Sequence, residues 1–150
     1  MKAKVLRGCN ALLALVMGML GFSCTSHMRV EYGTPSAQFV IEGKVVNEED
    51  EPLEKIEIVH RGGWKDGTGV MHWDSPYTLY TNSEGVFYGR YGDEFPMSYY
   101  MVVANDKSGV YESDTINPSV SYSGGDGHWY YGTGRLRADF VLKKKDNIEK

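Results

Sequence analysis

Four aromatic side chains suited to binding a ligand lie in two glycine-rich segments, with Trp64 and Trp73 in 62–76 and Trp129 and Tyr130 in 117–134. Rings of this kind offer a large contact area at a small entropic cost, and loops that carry them above a rigid scaffold are typical of carbohydrate- and peptide-binding modules. We therefore predict these four residues as ligand contacts. Two alternatives remain open: the rings cap an open end of the core, or they contact lipid headgroups.

Histidine and acidic residues give a weaker signal for metal binding. His72 and Asp74 stand two positions apart, so one strand face would present both, with His60 or His128 to complete a site. Histidines scattered in this way are usually solvated or hydrogen-bonded, so we expect no metal and no cofactor. The sequence also has no nucleophile elbow, no H-E-x-x-H motif and no phosphate-binding glycine motif before a helix. We therefore predict no catalytic residue and expect that the protein is not an enzyme.

Composition and charge exclude further classes of function. The 150 residues include 16 Lys and Arg and 20 Asp and Glu, and without the three basic residues near the N-terminus the balance is 13 against 20. An acidic domain without a basic stripe is a poor nucleic-acid binder, because phosphate neutralisation supplies most of that affinity. Both cysteines lie within the first 24 residues, so the folded part has no disulfide or thiolate site. We predict no nucleic-acid partner.

Residues 1–24 have the pattern of a bacterial export signal. A basic stretch precedes an apolar run over 11–20, which at about ten residues is too short to span a bilayer of about 30 Å. The ending LGFSC, with Cys24 last, resembles a lipobox. This resemblance implies that the signal helix is removed and that Cys24 carries fatty acids such as palmitate. We expect a cell-envelope protein, lipid-anchored to a membrane and facing the periplasm. The alternative is an ordinary secretory signal cut near Ser23.

The elements that must position these residues are β-strands. Seven stretches alternate apolar and polar residues with a period of two, and they cover 38–46, 53–61, 77–81, 86–91, 97–104, 110–116 and 135–143. We predict an all-β protein, a seven-stranded antiparallel β-sandwich. The expected domains are a signal peptide at 1–23, a flexible tether at 24–37, the sandwich at 38–144 and a C-terminal tail at 145–150.

The order of turns and loops predicts how the sandwich is arranged. Short turns rich in Asn, Asp and Gly stand at 47–52, 82–85 and 105–109. If each connection reverses the chain direction, these turns lie at one end of the sandwich. The aromatic segments 62–76 and 117–134 then lie together at the other end.

Two hairpin sequences carry a family resemblance. The run VIEGKVVNEEDEPLEKIEIV followed by YTNSEGVFYGRY resembles the carboxypeptidase regulatory-like, transthyretin-like (prealbumin-like) sandwich. The order EYGTP, GKVV…EPL, TNSEGVF, ANDKSGVYESDTI, GGDGHWYYGTG and DFVLKK is similar to the radical SAM-associated lipoproteins of Bacteroidetes, and it spans Glu31 to Lys144. The resemblance implies an envelope lipoprotein encoded near a radical SAM enzyme, with no activity to transfer.

Together these observations predict a membrane-anchored envelope lipoprotein that acts as a non-catalytic accessory or interaction module linked to a radical SAM enzyme system. Its expected partners are a membrane, through the N-terminal lipid, and a protein or glycan of the envelope. Two alternatives remain. The aromatic segments 62–76 and 117–134 form a glycan- or peptide-binding module, or the chain is a substrate that a radical SAM enzyme modifies within 121–134.

Overall fold

The computed structural model describes residues 34–146. They form an all-β structure with two sheets, consistent with a β-sandwich, and no helix occurs among them. The strands are β1 (Ser36–Asn47), β2 (Glu57–Lys65), β3 (Met71–Trp73), β4 (Tyr77–Tyr80), β5 (Val86–Glu94), β6 (Tyr99–Asn105), β7 (Asp114–Ile116), β8 (Ser121–Gly124), β9 (Tyr130–Arg137) and β10 (Phe140–Leu142).

The first sheet is built around β1. Strand β5 pairs with it in the antiparallel direction, whereas β9 and then β10 pair with it in the parallel direction, and β8 adds to β9. The prediction of a purely antiparallel sandwich is therefore wrong for these two parallel pairs. Parallel strands need a long connection, so their pairing leaves no short hairpin signal in the sequence.

The second sheet is built around β2 and is antiparallel throughout its described pairs. Strand β6 pairs with one side of β2, β7 adds to β6, and the short strands β3 and β4 pair with different parts of β2. The two sheets bury a common core of aliphatic and aromatic side chains. Each large side chain that is buried fully contributes roughly 1.5–3 kcal/mol.

Burial confirms the predicted faces of the strands. Phe39, Ile41 and Val45 are buried on one face of β1. In β9 and β10 the buried residues include Leu136 and Phe140, and the alternating charged residues between them are exposed. The predicted period of two is therefore the pattern that fills the core.

Five turns share one local structure. In each, the side chain of an Asn or Asp accepts the backbone N–H groups two and four residues later, and these residues are Asn47, Asp66, Asn82, Asp106 and Asp126. Such side chains imitate a backbone turn. The three short turns predicted from sequence are confirmed, and in the first of them Asp50 adopts a positive φ of 63°.

The two predicted long loops differ from expectation because each contains a hairpin. Strand β2 continues to Lys65 and turns back into β3, and β8 and the start of β9 lie within 117–134. The predicted strand at 110–116 is reduced to β7, and the predicted last strand is divided into β9 and β10. Ten strands thus replace the predicted seven in the described part of the chain.

Several predictions concern residues outside the described range. The signal peptide and its helix, Cys24 and most of the tether precede residue 34, and the last four residues of the tail follow residue 146. Strand β1 begins at Ser36, two residues before the expected start of the sandwich. Within 34–146, no helix is long and apolar enough to cross a membrane.

Candidate functional site

A cavity of about 390 Å³ opens at one end of the structure, between the two sheets. The first sheet contributes Phe39 and Tyr91, and the second contributes His60, Tyr77 and Tyr100. All five are inward-facing positions, because they continue the alternation of the buried core. The connections that follow β3 and β5 complete the wall.

His60 is the buried polar group at this cavity. Its side chain lies between strands β4 and β6, opposite Tyr77 and Val102, and only 3% of the residue is exposed. Its ring stacks on that of Tyr100, with centroids 5.8 Å apart and planes inclined by 12°. Burial lowers the pKa of His60 to about 4. The imidazole is therefore neutral at pH 7 and can accept a hydrogen bond.

The hydroxyl of Tyr91 is the polar partner of His60. Its oxygen lies 3.1 Å from Nδ1 and 3.3 Å from Nε2 of the imidazole. The Tyr91 ring stacks on Phe39 at 5.2 Å and lies 4.9 Å from the ring of Tyr77. Burial raises the pKa of Tyr91, and the charge of Glu94 raises it further. The hydroxyl therefore remains protonated, and the imidazole tautomer decides which of the two groups donates.

A second pair of tyrosines extends the polar network. The hydroxyl oxygens of Tyr100 and Tyr122 lie 3.0 Å apart, and Tyr100 also accepts the backbone N–H of Met97 at 3.0 Å. Burial raises the pKa of both hydroxyls. Since Met97 belongs to the connection between β5 and β6, these bonds attach that connection to the wall of the cavity.

Two acidic residues stand at the mouth of the cavity. Asp74 and Glu94 are exposed and line its rim. Neither forms an ion pair with another residue of the described range. Among the described residues that line the cavity there is no lysine or arginine. The mouth is therefore electronegative.

The structure places the predicted ligand contacts away from this cavity. Trp64 and Trp73 lie on neighbouring strands of the β2–β3 hairpin, but Trp64 pairs with His72 and Trp73 pairs with Gly63. Paired residues share a face, so the two tryptophans point to opposite faces. Trp64 is partly exposed and stacks on His72, with ring centroids 5.3 Å apart.

The other two predicted contacts lie on the β8–β9 hairpin. Trp129 is exposed at its tip, and its carbonyl accepts the N–H of Ser36 at 2.8 Å. Tyr130 is half-buried and lines a second, more open cavity of about 380 Å³ together with Tyr122 and Tyr131. The ligand-binding role of the four residues stays a prediction, and they do not form one surface.

The arrangement around His72 also differs from the one considered from spacing. Nε2 of His72 lies 2.8 Å from Oδ2 of Asp66, not beside Asp74. Hydrogen bonds from Thr68, and then from His72, lower the pKa of Asp66 well below its ordinary range. Within 34–146, no three His, Cys, Asp or Glu side chains are close enough together to hold a metal ion.

The residues of the cavity were missed by sequence reasoning, which concentrated on the loops. A signal was present, however. His60 follows Ile58 by two positions, and Tyr91 follows Phe87 by four, so each continues a predicted inward-facing row. Polar aromatic residues at the end of such rows predict a partly polar cavity mouth.

Comparison with known proteins gives a likeness of fold. No family model matches the chain, and no curated protein matches it. Catechol 1,2-dioxygenase from Pseudomonas arvilla C-1 is 11% identical, with a TM-score of 0.51 over 79% of this chain and 56% of that chain. The 3-chlorocatechol 1,2-dioxygenase from Rhodococcus opacus 1CP is 15% identical, with a TM-score of 0.48 over 79% and 63%.

Hydroxyquinol 1,2-dioxygenase from Pseudomonas putida DLL-E4 is 10% identical, with a TM-score of 0.46 over 75% of this chain and 58% of that chain. The chain thus spans less than two thirds of the length of these three proteins. At such identities the likeness shows the fold alone.

These comparisons correct the family assignment. The neighbour with a TM-score of 0.51 is named as a catechol 1,2-dioxygenase, not as a radical SAM-associated lipoprotein of Bacteroidetes. The assignment of the chain to the radical SAM-associated lipoproteins is therefore wrong. The motifs that suggested this family combine alternating strands with turns such as 82–85, and both features recur in unrelated sandwiches. They could not identify one family.

The predicted function is corrected as well. A non-catalytic accessory module was expected, and the chain was expected not to be an enzyme, but the structural neighbour from Pseudomonas arvilla C-1 is named as an enzyme. The error came from treating the lack of a linear motif as evidence against catalysis, although catalytic groups can meet only in the fold. The two alternatives, a glycan- or peptide-binding module and a substrate of a radical SAM enzyme, are not better supported.

Three predictions are independent of these corrections. Lipidation of Cys24, attachment to a membrane and an envelope location were inferred from the first 24 residues, which the structure does not describe. They stay predictions.

Proposed function

We propose that the protein binds a small planar molecule with a hydroxylated aromatic ring, of the phenol or catechol class, in the cavity between its sheets. The observation that carries this proposal is the pairing of neutral His60 with the Tyr91 hydroxyl inside a cavity walled by aromatic rings. A buried titratable group with a shifted pKa in a cleft is a recognised sign of a functional site.

Size and shape support a small ligand. A volume of about 390 Å³ lies within the range typical of small-molecule sites. The ring of Tyr91 already stacks on Phe39 and lies 4.9 Å from the tilted ring of Tyr77. A further flat ring fits such a wall, since aromatic pairs prefer offset or edge-to-face contacts.

The polar groups support a hydroxyl on that ring. The Tyr91 hydroxyl is hydrogen-bonded to His60 and keeps a lone pair that can accept from a ligand hydroxyl. With a pKa of about 4, the imidazole of His60 is a weak base. Its proposed role is therefore to hold Tyr91 in place as a hydrogen-bond acceptor, rather than to remove a proton from a phenol.

The name of a protein with a similar fold suggests a compound with which to test binding. The neighbour from Pseudomonas arvilla C-1 is named as a catechol 1,2-dioxygenase, so catechol belongs to the proposed ligand class. The likeness supports the fold alone, and the cavity supports the binding. Titration of the full chain with catechol and with phenol, followed by calorimetry and by consumption of the added compound, measures binding and turnover together.

The decisive comparison uses two tyrosines of β5 on opposite faces. Tyr91→Phe removes the hydroxyl in the cavity, and we expect it to weaken phenol and catechol binding roughly three- to tenfold, as for the loss of one hydrogen bond. Tyr88→Phe is the matched control because Tyr88 is 59% exposed on the outer face. Absence of saturable binding, or equal effects of the two variants, would contradict the proposal.

We also propose that the β-sandwich has the transthyretin-like arrangement of strands. A transthyretin-like sandwich is supported by the hairpin turns at Asn47 and Asn82, which form at the positions where the resembling motifs place them. An experimental structure compared strand by strand with transthyretin-like domains would test it, and a different order of strands would refute it.

A further inference from the structure

The β5 strand contains an irregularity that turns Glu94 toward the cavity. Phe39 of β1 pairs with Tyr91, but Ala37, two residues earlier, pairs with Glu94, three residues later. One extra residue is therefore accommodated in β5, which is a β-bulge. A bulge redirects the side chains that follow it. Without it, Glu94 would face away from Tyr91; with it, Glu94 lies opposite the buried Ala37, on the inner face.

Asp74 is fixed at the same mouth from the other sheet. Its backbone N–H donates to the carbonyl of Gly62 at 2.9 Å, directly after β3. Gly62 is a lining residue on β2, two positions after His60. Carboxylates from both sheets thus stand at the rim of one cavity, each held by backbone pairing.

The arginine side chains on the strands next to the cavity lie on the outer faces of the sheets. Arg61 lies between His60 and Gly62 on β2, so the alternation of the strand places it on the outer face. Arg90 lies next to Tyr91 and is likewise on the outer face, where it donates to Oε1 of Gln38 at 2.8 Å. The carboxylates at the rim therefore have no cationic neighbour among the described lining residues.

We infer that the ligand of this cavity is cationic: an aromatic ring with an ammonium group a few bonds away, an arylalkylamine, whose charge lies between Asp74 and Glu94. This inference rests on the proposed function and adds the charge of the ligand. The ring of the ligand lies against the aromatic wall, and its ammonium group lies at the acidic rim. An anionic ligand would approach two carboxylates with no compensating positive charge.

The test compares three phenols of similar size that differ in charge. 4-Ethylphenol is neutral, tyramine is its cationic counterpart, and 3-(4-hydroxyphenyl)propionate is anionic. Titrated into the full chain, tyramine is expected to bind roughly fivefold more tightly than 4-ethylphenol, and the propionate more weakly than either. The advantage of tyramine should shrink as salt is added, because the rim carboxylates are exposed.

Variants that remove the negative charge of the rim test whether these carboxylates cause the preference for tyramine. Asp74→Asn combined with Glu94→Gln should remove the advantage of tyramine, so that the double variant binds tyramine and 4-ethylphenol with similar affinity. Glu84→Gln, at an exposed turn far along β5 from the cavity, is the control and should change neither. Saturable binding of 4-ethylphenol by the double variant shows that it is folded.

The possible outcomes separate the two proposals. If 4-ethylphenol binds but tyramine has no advantage, or keeps its advantage in the double variant, this inference is overturned and the proposed function stands. If none of the three phenols binds, the proposed function fails first and the inference fails with it.

Discussion

The hydroxyl oxygen of Tyr91 lies 3.1 Å from Nδ1 of His60, and this hydrogen bond joins the two sheets. Tyr91 belongs to β5 of the first sheet and His60 to β2 of the second. Both side chains occupy inward-facing positions, where other strands carry aliphatic residues. A hydrogen-bonded polar pair therefore replaces apolar packing at the end of the core that opens into the cavity.

The first prediction concerns the pH dependence of stability. The pKa of His60 falls from 6.5 in the unfolded chain to about 4 in the fold, so the folded state binds fewer protons between these values. The contribution of His60 to the free energy of unfolding is complete above about pH 6.5, and it decreases as the pH falls toward 4. Between pH 7 and pH 5 we expect a loss of about 2 kcal/mol from this group.

Urea unfolding at both pH values measures this loss, with His60→Gln as the comparison because it cannot titrate. A His60→Gln variant with the same pH dependence as the wild type would contradict the prediction. The NMR signal of the His60 ring gives a direct check: it should not titrate between pH 7.5 and 5.5, and a midpoint near 6.5 would be inconsistent with burial of the neutral ring.

The second prediction concerns the stability of the sheet-to-sheet bond itself. Tyr91→Phe removes the hydroxyl and leaves a buried imidazole without its partner, which should lower the free energy of unfolding by about 1–3 kcal/mol. Tyr88→Phe, on the exposed face of the same strand, should change it by less than about 0.5 kcal/mol. Equal unfolding midpoints in urea for the two variants would show that the bond contributes nothing.

The third prediction separates two costs of replacing a turn glycine. Gly85 and Gly109 both have a positive φ, of 72° and 79°. A Cβ at Gly85 would lie 2.4 Å from the carbonyl oxygen of Val45, whereas a Cβ at Gly109 would meet nothing within 4 Å. We expect Gly109→Ala to lower the free energy of unfolding by about 1–2 kcal/mol, because of its positive φ. Gly85→Ala should lower it by about 1–3 kcal/mol more, because of the additional clash. Thermal unfolding would show the difference, and similar midpoints would disprove it.

The fourth prediction concerns the turn between β2 and β3. Oδ1 of Asp66 accepts the N–H groups of Thr68 and Val70, at 2.9 and 3.0 Å, and Oδ2 lies beside His72. Asp66→Ala should accelerate hydrogen exchange at both amides. Asp66→Asn keeps an acceptor oxygen and should preserve their protection. If Asp66→Asn exchanges as fast as Asp66→Ala, the contact with His72, rather than the turn, stabilises the hairpin.

Much of the local structure follows from short-range chemistry. The turns at Asn47, Asn82 and Asp106 were predicted because one side chain and one nearby residue with a positive φ are sufficient to close them. Asp66 begins a turn of the same kind, followed three residues later by Gly69. The sequence therefore contained the signal for the β2–β3 hairpin, and treating 62–76 as one loop overlooked it.

The cavity could not be predicted from the sequence to the same degree. His60 and Tyr91 are 31 positions apart, and their contact depends on how two sheets stack rather than on either strand. The orientation of Glu94 depends on the bulge in β5, which is defined only by the pairing of β5 with Ala37 and Phe39. Neither the His60–Tyr91 contact nor the orientation of Glu94 leaves a mark in the alternation of apolar and polar residues, so the sequence pattern could not reveal them.

By itself, the sequence determined the all-β class, the inward-facing rows of the strands and most of the turns, because each depends on neighbours within a few residues. The tertiary structure decided the parallel pairing of β1 with β9 and β10, the meeting of His60 with Tyr91 and the acidic mouth of the cavity. These features join segments that are distant along the chain, and their energies arise only when the two sheets are packed together.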